Sequence, residues 1–312
     1  LYFDHEKALA RALDLLAQGA RLLDIGGEST RPAPDSLPVG EAEEQRRVLP
    51  VLRRLHELRG KLAAERGGIA LEAGELSGVS VPDAAVTAEL SGQLGAPGTE
   101  AAPLESSVPI GGAGSAGRVD GSGSISGAYT YDAPYAEEMQ AVHPADLLLS
   151  VDSWRAGTAV AALEAGADVV NDVAGTAFDP VMVEVLASYK PGYILGHCPE
   201  APAVMQNAPH YDDVVEDLYA YFSTQVEMLV RHGLPENRIM LDPCFGFGKN
   251  LTHNLDLMRG LGRILGLGLP VCVALSRKTL IGNLLDLPAG PRRDMPTQVL
   301  SALLLERGGL LH

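Results

Sequence analysis

Cysteine is scarce in this sequence: Cys198, Cys244 and Cys272 are the three among 312 residues. That is too few for a disulfide scaffold and fits a reducing compartment, where free thiols are ordinarily buried and unpaired. Basic side chains are also in deficit, 24 Lys and Arg against 40 Asp and Glu, a formal net charge of −16. A surface so acidic repels phosphate backbones, so nucleic acid is excluded as an expected partner. Small anionic substrates stay open, because they respond to local charge. The sequence lacks any run of about 18 uncharged apolar residues, so no membrane span is expected. No signal peptide is visible, although the chain starts at Leu1 rather than Met, and a cytoplasmic setting is the expectation.

What is present is patterned unevenly. Over residues 1–60, Leu9, Leu13, Leu16 and Ala20 recur at helical spacing. A short apolar strand, Leu22 to Ile25, then runs into a glycine turn, and Val48, Leu52 and Leu55 mark a second helix. From about Gly67 to Gln140 the composition shifts to Gly, Ser and Ala with few large apolar residues. Such a stretch buries little surface, and it reads as a flexible insertion in a single domain spanning 1–312. From Leu147 onward, strand, polar turn and helix repeat. The expected strands are Leu147–Val151, Asp168–Asn171, Tyr193–Leu195, Arg238–Leu241 and Val271–Leu275, with Leu310-Leu311 opening a seventh. Helices are expected around Thr158–Ala165 and Asp213–His232. This alternation predicts a parallel sheet with helices outside it. Periodicity alone leaves an open doubly wound sheet and a closed barrel equally possible.

Nearly every expected strand ends in polar residues. Asp24 leads into Gly26-Gly27-Glu28-Ser29-Thr30-Arg31-Pro32; Asp152-Ser153, Asn171-Asp172, His197-Cys198, Asp242-Pro243-Cys244 and Ser276-Arg277-Lys278 follow the others. Ligands of parallel α/β proteins sit at the carboxyl ends of strands, so six such termini in register point to one active-site mouth. Asp152, Asn171 and Asp242 offer acceptors to the N–H edge of a flat heterocycle, and Lys278 offers a cation to a ring carbonyl or nitrogen. Asp152 taken alone fits a helix N-cap equally well. The Gly26–Arg31 segment, with backbone N–H groups, two hydroxyls and a guanidinium, suits a phosphate or carboxylate. Gly246-Phe247-Gly248-Lys249 lacks the spacing and the Ser/Thr of a P-loop. His197, Cys198 and Cys244 lack the spacing of a zinc site.

Taken in order, five segments closely resemble the signature of dihydropteroate synthases: Leu23 to Pro32, Ser150 to Ser153, Val170 to Gly175, Leu241 to Asn250, and Leu275 to Gly282. The resemblance covers residues 1–66 and 141–312. It implies a (β/α)₈ TIM barrel and a transferase that joins 4-aminobenzoate to a dihydropterin diphosphate, releasing pyrophosphate. By that likeness Asp152, Asn171, Asp242 and Lys278 hold the pterin, with Lys278, Asp152 and Asp242 carrying the chemistry. Ser29, Thr30, Arg31, Pro32, Phe247, Ser276 and Thr279 serve aminobenzoate and pyrophosphate. Magnesium is the implied cofactor, bound by an asparagine expected before Leu1, with no metal ligand among the residues present. A homodimer is the implied assembly, and small molecules are the implied partners.

The sequence departs from that family in three ways. A first strand with its Asn-bearing loop is expected before Leu1, and an Arg-x-His motif after His312. Cys244 stands where Gly is usual, and Gly196 where a larger apolar residue is usual. The 67–140 insertion enters between a helix and the next strand, on the face opposite the expected site. Two rivals share the pterin contacts: a methyltetrahydrofolate:corrinoid methyltransferase, which has no use for Ser29-Thr30-Arg31 or for Ser276-Arg277-Lys278, and a non-catalytic pterin-binding paralogue that kept the pocket and lost the pyrophosphate site.

Overall fold

The computed structural model of the chain describes residues 4–29, 39–66, 146–200, 205 and 209–311. All of them belong to one compact unit built from residues 1–71 and 142–312. The insertion expected at about 67–140 lies outside the described residues.

Helix α1 (His5–Ala17) starts at Asp4, whose carboxylate accepts from the N–H groups of Glu6 and Lys7. The pattern that was expected to reach Ala20 stops at Ala17, because Gly19 turns the chain at φ +92°. Strand β1 (Leu22–Gly26) and helix α2 (Glu41–Arg66) follow. Beyond the insertion come β2 (Leu148–Asp152), α3 (Ala156–Glu164), β3 (Val169–Asp172), α4 (Met182–Tyr189) and β4 (Gly192–Gly196). The chain continues through α5 (Val214–Arg231), β5 (Ile239–Asp242), α6 (Leu251–Arg259) and α7 (Leu261–Leu265). It closes with β6 (Cys272–Val273), α8 (Thr279–Leu285), α9 (Asp294–Glu306) and β7 (Leu310–Leu311).

The strands pair in parallel and strictly in chain order, β1 through β5. A bridge from Leu241 to Val271 carries the order on to β6, which pairs with β7. A doubly wound sheet reverses its order at an internal switch point, whereas a barrel does not. The sequential order, with helices between strands, is the α/β TIM-barrel arrangement. No pairing of β7 with β1 occurs among the described residues.

Each strand sorts its side chains by period two. Leu23, Val151, Val170, Leu195 and Leu241 face the helices and join the main core with Val48, Leu52, Leu55, Leu218 and Phe222. On the opposite face Leu22, Val169, Ile194, Met240 and Cys272 form a separate apolar cluster. That cluster joins β1 to β3, β4, β5 and β6, so the sheet curls around it. All three cysteines are buried and unpaired, as their scarcity suggested.

Two expected elements were placed too long. The expected strand Val271–Leu275 shrinks to Cys272–Val273, because the chain leaves the sheet to form the site. Lys278 N–H donates to Leu275 O, and Arg277 adopts φ +51°. Helix α5 begins at Val214 rather than Asp213, since Asp213 is its N-cap and accepts from Val215 and Glu216.

Candidate active site

A cavity of about 400 Å³ opens at the carboxyl ends of the strands. Glu28 and Ser29 line it from the loop after β1, Asp152 from β2, Asn171 and Val173 from β3, and Asp242, Cys244 and Phe247 from β5. Ala274, Ser276 and Lys278 complete the wall after β6. The apolar cluster of Leu22, Val169, Ile194, Met240 and Cys272 fills the sheet interior from the same inward-facing positions, nearer the strands' starts.

Asp152 ends β2 in register with Gly26 of β1. A Cβ at Gly26 would stand 3.2 Å from Asp152 Oδ2, so the glycine leaves room for the carboxylate over β1. The N-cap alternative for Asp152 does not hold. Arg155 occupies the cap position of α3, and its N–H donates to Ser153 Oγ. Asn171 Nδ2 donates to Asp24 Oδ2 at 2.7 Å, which fixes the amide and leaves Oδ1 and a second N–H for a ligand. Asp242 is buried, and its Oδ1 accepts from Cys244 N–H at 2.7 Å.

Lys278 Nζ donates to Phe245 O at 2.6 Å and sits 4.4 Å from the centre of the Phe247 ring. An ammonium over an aromatic face is held by the ring quadrupole. The same contact fixes Phe247, which packs on a small apolar cluster of Val173, Cys198, Met205 and Cys244, as does Trp154. Cys244 holds φ +50°, the left-handed region that favours glycine. Burial pushes its thiol pKa well up, so the cavity wall there is a neutral S–H.

Behind the lining, charged groups lock the loops. Glu28 Oε2 accepts from Arg155 Nη2 at 2.8 Å, while Glu28 Oε1 accepts from Val39 N–H at 3.1 Å. Arg155 Nη2 also donates to Val39 O at 2.7 Å, and Nη1 lies 3.1 Å from Glu44 Oε2. Glu44, 1% exposed, further accepts from Ser153 Oγ and Thr158 Oγ1. The buried Asp172 carboxylate accepts from the N–H groups of Ala174 and Thr176 and from Tyr193 O–H. Burial raises its pKa against those bonds.

Of the residues singled out from sequence, Ser29, Asp152, Asn171, Asp242, Phe247, Ser276 and Lys278 meet in this cavity. Thr279, the exposed first residue of α8, is not part of its lining. Thr30, Arg31 and Pro32 lie outside the described residues. Sequence reasoning gave no site role to Glu28, Asp24, Val173 or Ala274. Glu28 and Asp24 flank the glycine turn at the end of an expected strand, which was a usable signal. Val173 and Ala274 carry none. Gly196 has no space for a larger side chain: an added Cβ would stand 2.6 Å from Asp172 O and from Val173 Cα. Gly196 therefore answers to backbone crowding from the turn after β3.

Comparison with known proteins matches the family described as pterin binding enzyme over residues 1–63 and 133–310. The dihydropteroate synthase of Synechocystis sp. is 41% identical over 143 residues, 46% of this chain and 50% of that protein. The dihydropteroate synthase of Bacillus subtilis is 29% identical over 295 residues, 94% of this chain and 70% of that protein. Among solved structures, Xanthomonas albilineans dihydropteroate synthase with 4-aminobenzoic acid superposes with a TM-score of 0.65 at 28% identity, covering 98% of this chain and 78% of that one. The chain spans about half the length of the first curated relatives it matches.

Proposed function

The chain belongs to the pterin-binding enzyme family, and on that premise we propose that it is a dihydropteroate synthase of folate biosynthesis. It would condense 4-aminobenzoate with (7,8-dihydropterin-6-yl)methyl diphosphate to give 7,8-dihydropteroate and pyrophosphate. The observation that carries this reading is the convergence of Asp152, Asn171, Asp242 and Lys278 on one cavity. Two carboxylates and an amide accept the N–H edge of an aminopyrimidine, and the lysine donates to its ring oxygen or nitrogen.

The chemistry follows from the same charges. The methylene C–O bond to the diphosphate breaks, its electron pair leaves with pyrophosphate, and positive charge spreads from the carbon into the ring. Asp152 and Asp242, fixed at strand ends, stabilise that charge electrostatically. The aminobenzoate nitrogen forms the new C–N bond and then loses a proton. Held against Phe247 and Ser276, it needs orientation rather than a strong base. Ser29, with Thr30, Arg31 and Pro32, is assigned to the aminobenzoate and pyrophosphate side, and Thr279 to the aminobenzoate carboxylate.

Among the described residues, no group of three or more His, Cys, Asp or Glu side chains comes together as a metal site. Magnesium is proposed as the cofactor, which would neutralise the charge of the departing pyrophosphate. Cytoplasmic location is likewise part of the proposal. Among the described residues no helix is long and apolar enough to cross a membrane. A homodimer is proposed through α9, where Met295, Val299 and Leu303 project at helical spacing and are each more than half exposed.

The test is pyrophosphate release from the full-length protein, with dihydropterin diphosphate and magnesium, with and without 4-aminobenzoate. Release is expected to need aminobenzoate, to vanish in Lys278→Ala and to fall about 100-fold in Asp152→Asn. Tight pterin binding with no release would instead establish a non-catalytic pterin binder.

A further inference from the structure

Lys249 is a lysine buried to 3% exposure, and among the described residues no carboxylate forms an ion pair with it. Its Nζ has three neighbours: His197 O at 3.0 Å, Phe247 O at 2.9 Å and His197 Nδ1 at 3.2 Å. An ammonium carries three protons and no lone pair, so it satisfies all three acceptors at once. A neutral amine carries two protons and a lone pair, so it keeps the third contact only with the His197 tautomer that is protonated on Nδ1, and its bonds to the two carbonyls lose their charge assistance. The two carbonyls belong to different loops, one after β4 and one after β5. His197 itself is tied to β5 through its N–H, which donates to Asp242 O.

We propose that Lys249 is a positioning residue: as an ammonium it staples the loop after β4 to the loop after β5 and so holds Phe247 in the cavity wall. Deprotonation turns the charge-assisted bonds to both carbonyls into weaker neutral ones, which loosens Phe247 and with it the aromatic face on which Lys278 rests. The groups around it leave the charge weakly supported. From the loop after β4, His197 is neutral, its pKa driven to about 3 by burial and by Lys249 itself. Cys198, on the same loop, and Cys244, after β5, have thiol pKa values raised by burial and so stay uncharged. Asp242 supplies attraction, Lys278 opposes it, and His253 on α6 lies within electrostatic reach. Tyr211 faces the same loop and donates to Gly248 O. Burial outweighs the attraction and lowers the Lys249 pKa to about 8.

Trp154, the one tryptophan in the chain, packs on the same small cluster as Phe247 and reports on this wall without substrate. Its emission in the substrate-free protein, followed from pH 6.5 to 10, is expected to show one transition near pH 8. Lys249→Met is expected to abolish the transition and to emit like the alkaline wild type at every pH. A flat wild-type curve, or a transition that survives in Lys249→Met, would overturn the proposal. Should that variant fail to fold, ¹³C-lysine labelling of the wild type decides. With five lysines in the sequence, one Cε resonance must titrate near pH 8 in step with Trp154. All five near 10.5 would sink the idea. The consequence for turnover rests on the synthase reading: the KM for 4-aminobenzoate should rise at least tenfold between pH 7 and 9.5. Absence of turnover at any pH would count against that reading alone, since the Trp154 titration needs no substrate.

Discussion

At the scale of single residues, His197 sets an acid limit on stability. Its folded pKa is depressed from 6.5 to about 3, so the unfolded chain takes up this proton first. Stability is fully present above pH 6.5 and is lost as pH falls toward 3, at up to about 1.4 kcal/mol per pH unit. Urea unfolding of wild type and His197→Asn between pH 7 and 4 is expected to show the shallower slope in the variant. Equal slopes would remove His197 from the account. Asp152, Asn171, Asp242 and Lys278 were legible because chemistry-bearing residues at strand ends stand out in a sequence. Lys249 was legible only as a basic residue in a glycine-rich loop. Its burial depends on His197, more than fifty positions earlier, and no local pattern encodes that meeting. Likewise the left-handed backbone of Cys244 cannot be read from its neighbours.

At the scale of elements, strand positions were readable to within a residue or two because apolar runs must face helices. Their ends were harder. Helix α5 and strand β6 stop where capping and the site's own turns take over from periodicity. The clamp of Arg155, Glu28 and Glu44 joins residues on three elements, and their charges alone gave no sign of partnership. Removing Arg155 strands the Glu44 carboxylate in the interior. Arg155→Met is therefore expected to cost about 3 kcal/mol, measured by denaturant unfolding. A change under about 0.5 kcal/mol would mean that Ser153 and Thr158 suffice for Glu44. Gly196→Ala should push the turn after β3 away from β4, because Asp172 O and Val173 Cα are backbone atoms that cannot rotate aside. Pterin affinity is expected to fall at least tenfold, read by calorimetric titration, because Val173 lines the cavity.

At the scale of the molecule, sequence periodicity could not choose between barrel and open sheet, since both alternate strand and helix. The choice depends on which strands are neighbours, a long-range property that appears only in the order β1 to β7. The insertion joins the end of α2 to the start of β2, whereas the cavity gathers at strand carboxyl ends. Deleting residues 70–138 and joining the ends with a short Gly/Ser linker is expected to leave turnover within about threefold. A folded but inactive deletion would reverse that assignment. Placing Asp at Val299 and Leu303 together should convert the proposed dimer to monomer in sedimentation, with no change of fold.

The plug formed by Leu22, Val169, Ile194, Met240 and Cys272 carries a consequence for traffic. These apolar side chains lie beneath the inner end of the cavity, so a molecule seated among Asp152, Asn171 and Asp242 has its open side toward the loops that follow the strands. Under the proposed reaction the product leaves by the same mouth through which both substrates arrive, so it must clear the cavity before either returns.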